Sequence, residues 1–362
     1  MDKTKLKLFV RQTMLTAIGF LALSLLVTTV IYSVLGDRPL ADVESGLLTE
    51  KERIVRADSS INTIFVGSSI TFRQINPEVF DTSASDSNKY YSYNLGNPGL
   101  YPMRSISYLE HLIDNPPPNV KYIVSELFRL DTVAVNYKSP EIMRITGFGP
   151  FIDDLQTIGT ANFPLDYKLY LATQYLRALA FKAFGFGMKT YLQYHRTPRA
   201  RDLERIEKSL RGFYPKDTEI QLTSEAEMVQ KLVNVRLELE ERPQLLEQRR
   251  TLHIDKYARQ WLPQDNPFVE KLVSLIRKAD AKGIKLVYFL PPLQTVRGLH
   301  FAYPIYQALP VESRIDLSDP RKFPELYQTE NVFDLEHVNN NGAVFLSRYL
   351  ADEFASLQDK QK

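Results

Sequence analysis

Apolar and polar positions fall along this chain in blocks, and the blocks predict its elements. The first block is Met14–Leu35, MLTAIGFLALSLLVTTVIYSVL, which contains no charged side chain. A helix rising about 1.5 Å per residue over that stretch spans the roughly 30 Å hydrocarbon layer of a bilayer. Lys3, Lys5, Lys7 and Arg11 precede it, while Asp37, Arg38, Asp42 and Glu44 follow. The positive-inside rule then makes residues 1–13 a cytoplasmic tail, with the rest of the chain extracytoplasmic, periplasmic or extracellular. The expectation is an uncleaved single-pass anchor in the cell membrane at 14–35. A cleaved signal peptide is the alternative, although its apolar region would be long and no Ala-x-Ala site follows. A buried helix is the third reading.

Residues 36–60 are polar and read as a stalk or an amphipathic lead-in. A strand–helix rhythm follows. Ile61–Gly67, Tyr90–Gly96 and Lys121–Leu127 read as strands, and Met103–Ile113 carries apolar residues at helical spacing. Strands separated by helices of this length predict right-handed βαβ units and a parallel sheet. Between 139 and 264 the pattern turns helical, with LYLATQYLRALAFKAF and SEAEMVQKLVNVRLELEE as its clearest stretches. This region reads as a helical insertion or cap, with a basic, solvated segment from His195 and a break at Pro243. The rhythm resumes with a helix from Pro267 that ends at Gly283. IKLVYFLPP is a fourth strand, RIDLSD a short fifth, and an amphipathic helix closes the chain. One discontinuous α/β domain is expected, formed by 61–138 and 265–362, with 139–264 inserted.

Composition narrows the function. The 362 residues are 44% apolar and carry a net charge of +2, too small for nucleic-acid binding through a basic surface. Cysteine is absent, which excludes disulfides, thiolate chemistry and cysteine-bound zinc. No set of His, Asp and Glu has convincing metal spacing and no glycine-rich phosphate loop appears, so neither metal nor cofactor is expected.

Ligands of open parallel sheets collect at the carboxyl ends of the strands. Three segments fall there. NTIFVGSSITF places Ser68 and Ser69 just past the first strand. NLGNPGLYP, Asn94–Pro102, follows the second and can bring backbone N–H groups close to a ligand. FDLEHVNNNG precedes the last helix and holds Asp334 and His337. Acyl transfer needs a hydroxyl, a base within hydrogen-bond reach, a group that orients the base, and donors for the developing oxyanion. Ser69 is the candidate nucleophile, His337 the base and Asp334 the orienting acid, with Ser68 the alternative nucleophile. The bland readings are a capping serine and a solvated histidine behind a capping aspartate. Arg73, His111, His195, His253 and His300 read as structural or surface residues.

In these blocks the chain resembles the SGNH (GDSL-like) esterases and acyltransferases. Gly67-Ser68-Ser69 stands where that family has Gly-Asp-Ser, and Asp334-Leu335-Glu336-His337 matches its Asp-x-x-His. The resemblance implies an SGNH-like, flavodoxin-like three-layer α/β fold. It makes Ser69 the nucleophile, with the N–H groups of Ser69 and Gly99 forming the oxyanion hole. The family's third block, Gly-x-Asn-Asp, is missing: the third strand continues VSELFRLD, and Glu126 is an acceptor that cannot replace the Asn donor. Asn94 or Asn97 is a candidate replacement or substrate contact, and Arg129 a candidate contact for an anionic substrate. The departure and the N-terminal apolar segment are similar to the membrane-tethered branch, the DltD-like and alginate O-acetylation-type envelope proteins. That likeness implies an envelope-facing esterase or O-acyltransferase acting on a polysaccharide or another acylated polymer, with a membrane-bound O-acyltransferase as partner. A non-catalytic polymer-binding scaffold is the other class left open, and the sequence does not separate hydrolase from transferase.

Overall fold

The computed structural model describes residues 3–36, 46–84, 89–98, 100, 102–127, 152, 155–156, 158–160, 163–183, 205, 207–222, 226–259 and 267–359. Its centre is a parallel sheet of β1 (Thr63–Val66), β2 (Ser92–Asn94), β3 (Tyr122–Glu126), β4 (Lys285–Leu290) and β5 (Arg314–Asp316). The strand order is β2-β1-β3-β4-β5, and every pairing is parallel. This is a doubly wound order, with a switch point at β1/β3 where chain segments diverge to opposite sides.

The strands are buried on both faces, which accounts for their near-continuous apolar runs. Alternate side chains serve opposite layers. Ile64, Val66, Ile123, Leu286 and Tyr288 pack against α5 (Pro102–Asp114), α10 (Pro267–Asp280) and α11 (Val296–Ala308), through Leu109, Leu272 and Phe301 among others. Phe65, Val124, Val287 and Phe289 face the other way, towards Phe80 of α4 (Pro77–Ser83) and Leu346, Leu350 and Phe354 of α12 (Asn340–Asp359). The short α3 (Ser69–Gln74) leaves the end of β1. The expected strands are present, each shorter than expected by one to three residues at an end, and the helix expected at 103–113 extends one residue each way. Gly283 adopts φ 71°, the left-handed conformation that glycine takes without a Cβ penalty.

The stretch between β3 and β4 contributes α6 (Leu165–Ala183), α7 (Lys216–Leu222), α8 (Ala226–Glu241) and α9 (Gln244–Asp255) among the described residues. The charged helix stops before Pro243, where the ring removes a backbone donor. The basic segment at His195 lies outside the described residues. α2 (Gly46–Ala57) falls in the polar stretch 36–60 and packs Leu47, Leu48 and Val55 into the body.

The N-terminal expectation is corrected. Among the described residues no helix is long and apolar enough to cross a membrane. Positions 14–35 lie within α1 (Lys3–Gly36), a helix that also takes in the basic start of the chain. It runs beside α6, which carries Asp166, Lys168 and Arg177, while its own described apolar side chains, Phe9, Met14, Leu15 and Ile18 among them, stay exposed. The single-pass anchor is withdrawn. With it go the cell-membrane localisation, the extracytoplasmic placement of the large domain and the membrane-bound acyltransferase partner.

Candidate active site

The site is built where β1 gives way to α3. Gly67 makes the turn, and no larger residue fits: a Cβ there would lie 1.9 Å from Thr71 Oγ1 and 2.5 Å from Glu126 Oε2. The two serines that follow have different partners. Ser68 is the N-cap of α3, its Oγ accepting the Ile70 N–H at 3.2 Å. The same hydroxyl donates to Glu126 Oε1 at 2.8 Å. Ser69 is the first helical residue, and its Oγ lies 3.2 Å from His337 Nε2. Among the described residues no acceptor takes the Ser69 backbone N–H.

Glu126 is buried at the end of β3, beside β1 in the sheet. Besides Ser68 Oγ, it accepts the N–H groups of Ser68 (3.0 Å) and Thr71 (3.2 Å) and the Thr71 hydroxyl (2.8 Å). Burial raises its pKa, and these donors pull the other way. The residue that breaks the family's third block is thus the clamp on the turn that carries Ser69.

His337 is presented by a loop that closes on itself. The N–H groups of Phe333 (2.8 Å) and Asp334 (3.2 Å) donate to the His337 carbonyl, and Val332 bridges Val338. Asp334 Oδ1 accepts the backbone N–H groups of Glu336 (2.8 Å) and His337 (2.9 Å), an aspartate turn that needs this short spacing. The same carboxylate receives the imidazole: Nδ1 lies 3.0 Å from Oδ1 and 3.2 Å from Oδ2. The carboxylate can only accept, so the Nδ1 proton is fixed there and Nε2 presents a lone pair to the Ser69 hydroxyl. Gln74 donates to the Glu336 carbonyl at 3.0 Å, and Ser347 Oγ of α12 accepts the Asn76 N–H at 2.7 Å. These bonds hold α3 and the loop in mutual register.

The electrostatics follow from burial and charge. Burial pushes Asp334 up, but His337 and Lys216 together outweigh it and hold the carboxyl far below the usual range. Burial lowers the pKa of His337, with Asp334 opposing and Lys216 assisting. Lys216, the first residue of α7, is ion-paired with Asp334 Oδ2. The sequence reading missed it, since no motif ties it to a loop so far along the chain.

The other expected site residues fall elsewhere. Both amide hydrogens of Asn94 are spent on the carbonyls of Thr71 (2.8 Å) and Ile75 (2.7 Å), and its Oδ1 accepts the Gly96 N–H (2.8 Å). Asn97 is buried, and its N–H donates to the Gly67 carbonyl at 2.9 Å, which lays this loop against the turn that carries Ser69. Gly99 and Arg129 lie outside the described residues. No group of three His, Asp or Glu among the described residues is arranged to hold a metal ion.

An α/β parallel sheet carrying a Ser–His–Asp hydrogen-bonded array at its carboxyl edge defines the general class, a serine-hydrolase-like arrangement. No protein-family model matches the chain, and neither does any curated protein. The resemblance to the SGNH family is corrected on that finding: the array stands on its own geometry and family membership does not follow from it. Short blocks such as Gly-Ser-Ser and Asp-x-x-His recur in unrelated chains, and similar triads arise on unrelated folds.

Proposed function

We propose that this protein is a serine esterase or acyltransferase that works through an ester on Ser69. One observation carries the reading: Ser69 Oγ lies 3.2 Å from His337 Nε2, while Asp334 holds the opposite ring nitrogen at 3.0 Å. Ser69 Oγ attacks the ester carbonyl as its proton passes to Nε2. The tetrahedral intermediate collapses, and the leaving alcohol takes that proton from His337, leaving acyl-Ser69. Water, or the hydroxyl of a second substrate, then gives its proton to Nε2 and attacks the acyl carbon; the acyl–Oγ bond breaks, His337 returns the proton to Ser69 Oγ, and the acid or new ester leaves. The Ser69 N–H is the assigned oxyanion donor.

A cavity of about 260 Å³ lies beside His337 and Asp334. Lys216, Glu238 and Glu336 share its lining with the apolar Val235, Leu239, Leu245 and Leu335, while Ser69 is not part of it. The apolar part of that lining suits the aliphatic part of an ester.

The test is release of acid from a simple acetyl ester, together with labelling by a fluorophosphonate probe. Wild type is expected to turn over and to gain the probe mass on Ser69. Ser69→Ala is expected to lose the label and at least about 1,000-fold in kcat. Equal rates in the two proteins, or a label on another residue, would overturn the proposal.

A further inference from the structure

Asp334 carries more partners than orienting an imidazole requires. Oδ1 already serves the His337 ring and two backbone N–H groups, yet Oδ2 is ion-paired with Lys216. That lysine arrives from the helical segment between β3 and β4, and its placement is enforced from both sides. Its neighbour Asp217 accepts the Asn340 N–H at the start of α12 at 2.9 Å. One turn on, buried Glu219 is ion-paired with Arg73 of α3 and with Arg205. Lys216 Nζ also sits 5.3 Å from the centre of the Phe333 ring, and its side chain is largely buried. α7 is therefore tied to the helix that carries Ser69 and to the helix that follows the His337 loop.

We infer that Lys216 is a positioning residue of the array: it fixes the second oxygen of Asp334 and, through its charge, sets the pH at which His337 becomes a base. The inference rests on the acyl-transfer reading above. The physical reason is a balance of charges. A lone carboxylate on Nδ1 favours the imidazolium and would keep His337 protonated to higher pH. A cation on the far oxygen offsets that attraction and leaves the neutral ring available sooner. Among the described residues, His337 feels Asp334 and Glu336 from its own loop and Lys216 from α7, meets the uncharged Ser69 hydroxyl of α3, and shares its cavity with Glu238 of α8. Lys216 is the cation in that set.

The experiment compares wild type, Lys216→Met, Lys216→Gln and Lys216→Arg. The first readout is the pH profile of kcat/KM on an acetyl ester. The second is the NMR titration of the His337 ring in the Ser69→Ala background, which does not depend on turnover. Removing the charge is expected to move the acid limb and the ring titration upward by about one pH unit. Lys216→Arg is expected to restore both towards wild type. An unmoved ring titration in both neutral variants, whatever happens to the rate, would overturn the inference and leave Lys216 a simple clamp. Absence of Ser69-dependent turnover with a shifted ring titration would overturn the acyl-transfer reading alone. Thermal unfolding of each variant separates loss of the fold from loss of the charge.

Discussion

Ser68 and Ser69 are adjacent and chemically alike, yet the fold gives them different neighbours. Ser68 turns back to Glu126 and to the backbone of its own helix, so it is the capping serine. Ser69 faces His337. The capping half of the ambiguity in GSS falls to Ser68, and Ser69 is the serine within reach of the histidine. The His337 ring must be neutral to accept the Ser69 proton. Because burial lowers its pKa, the neutral form persists to lower pH than for a free histidine. The rate is expected to rise through a midpoint below about 6.5 and to hold above it. Asp334→Asn is expected to cost roughly 1,000- to 10,000-fold in kcat. An amide accepts at one position only, so its NH2 would face either Lys216 or the Glu336 and His337 N–H groups, and the ring would lose its fixed setting. A pH–rate profile of the purified variant checks both statements.

At the scale of elements, the turn that carries Ser69 depends on one carboxylate. Glu126 ends β3 and satisfies four donors from Ser68 and Thr71, and the glycine before them leaves it room. Glu126→Ala would strand those donors in a buried place. Each unmet buried donor costs on the order of 1–3 kcal/mol, though water entering the cavity would recover part of that. The expected outcome is a loss of about 3 kcal/mol or more in chemical denaturation, with a fall in acyl transfer as the turn loosens. Retention of full stability would show that the clamp is dispensable. The aspartate turn at 334–337 works differently. Its hydrogen bonds are local, so Asp334 both shapes the loop and orients the ring that the loop presents.

Across the whole molecule, the segment between β3 and β4 reaches the site through buried charge. Burial pushes Glu219 up, but Arg73 and Arg205 outweigh it and keep the carboxylate ionised. Burial also lowers Arg73 to about 10, with Glu219 the main opposing group and Arg205 adding to the lowering. Glu219→Ala would remove the buried carboxylate that both Arg73 and Arg205 meet, a change that costs about 3–5 kcal/mol. Thermal unfolding and the kcat/KM of the surviving folded protein measure the outcome. Activity is expected to fall with stability, because α7 carries both Glu219 and Lys216.

Much of the architecture was legible because it rests on local pattern. β-branched and aromatic runs bounded by Gly and Pro mark β1, β3 and β4, and the period of Phe268, Leu272, Leu275 and Ile276 marks α10. Burial of both sheet faces makes such runs hard to build in any other way. The Asp-x-x-His spacing was legible for the same reason: an aspartate turn is a matter of a few consecutive residues. The N-terminal apolar block shows the limit, since hydropathy describes the segment and not its neighbour, and the neighbour of α1 is α6. Sequence alone determined the strands, their parallel pairing, the longer amphipathic helices and the residue types available for acyl chemistry. Tertiary structure alone decided which serine meets His337, that Glu126 holds the turn, that Asn94 is committed to α3, and that Lys216 sits on Asp334. Those contacts join residues far apart in the chain, and the energy that selects them comes from packing and buried charge, which no short window of sequence contains.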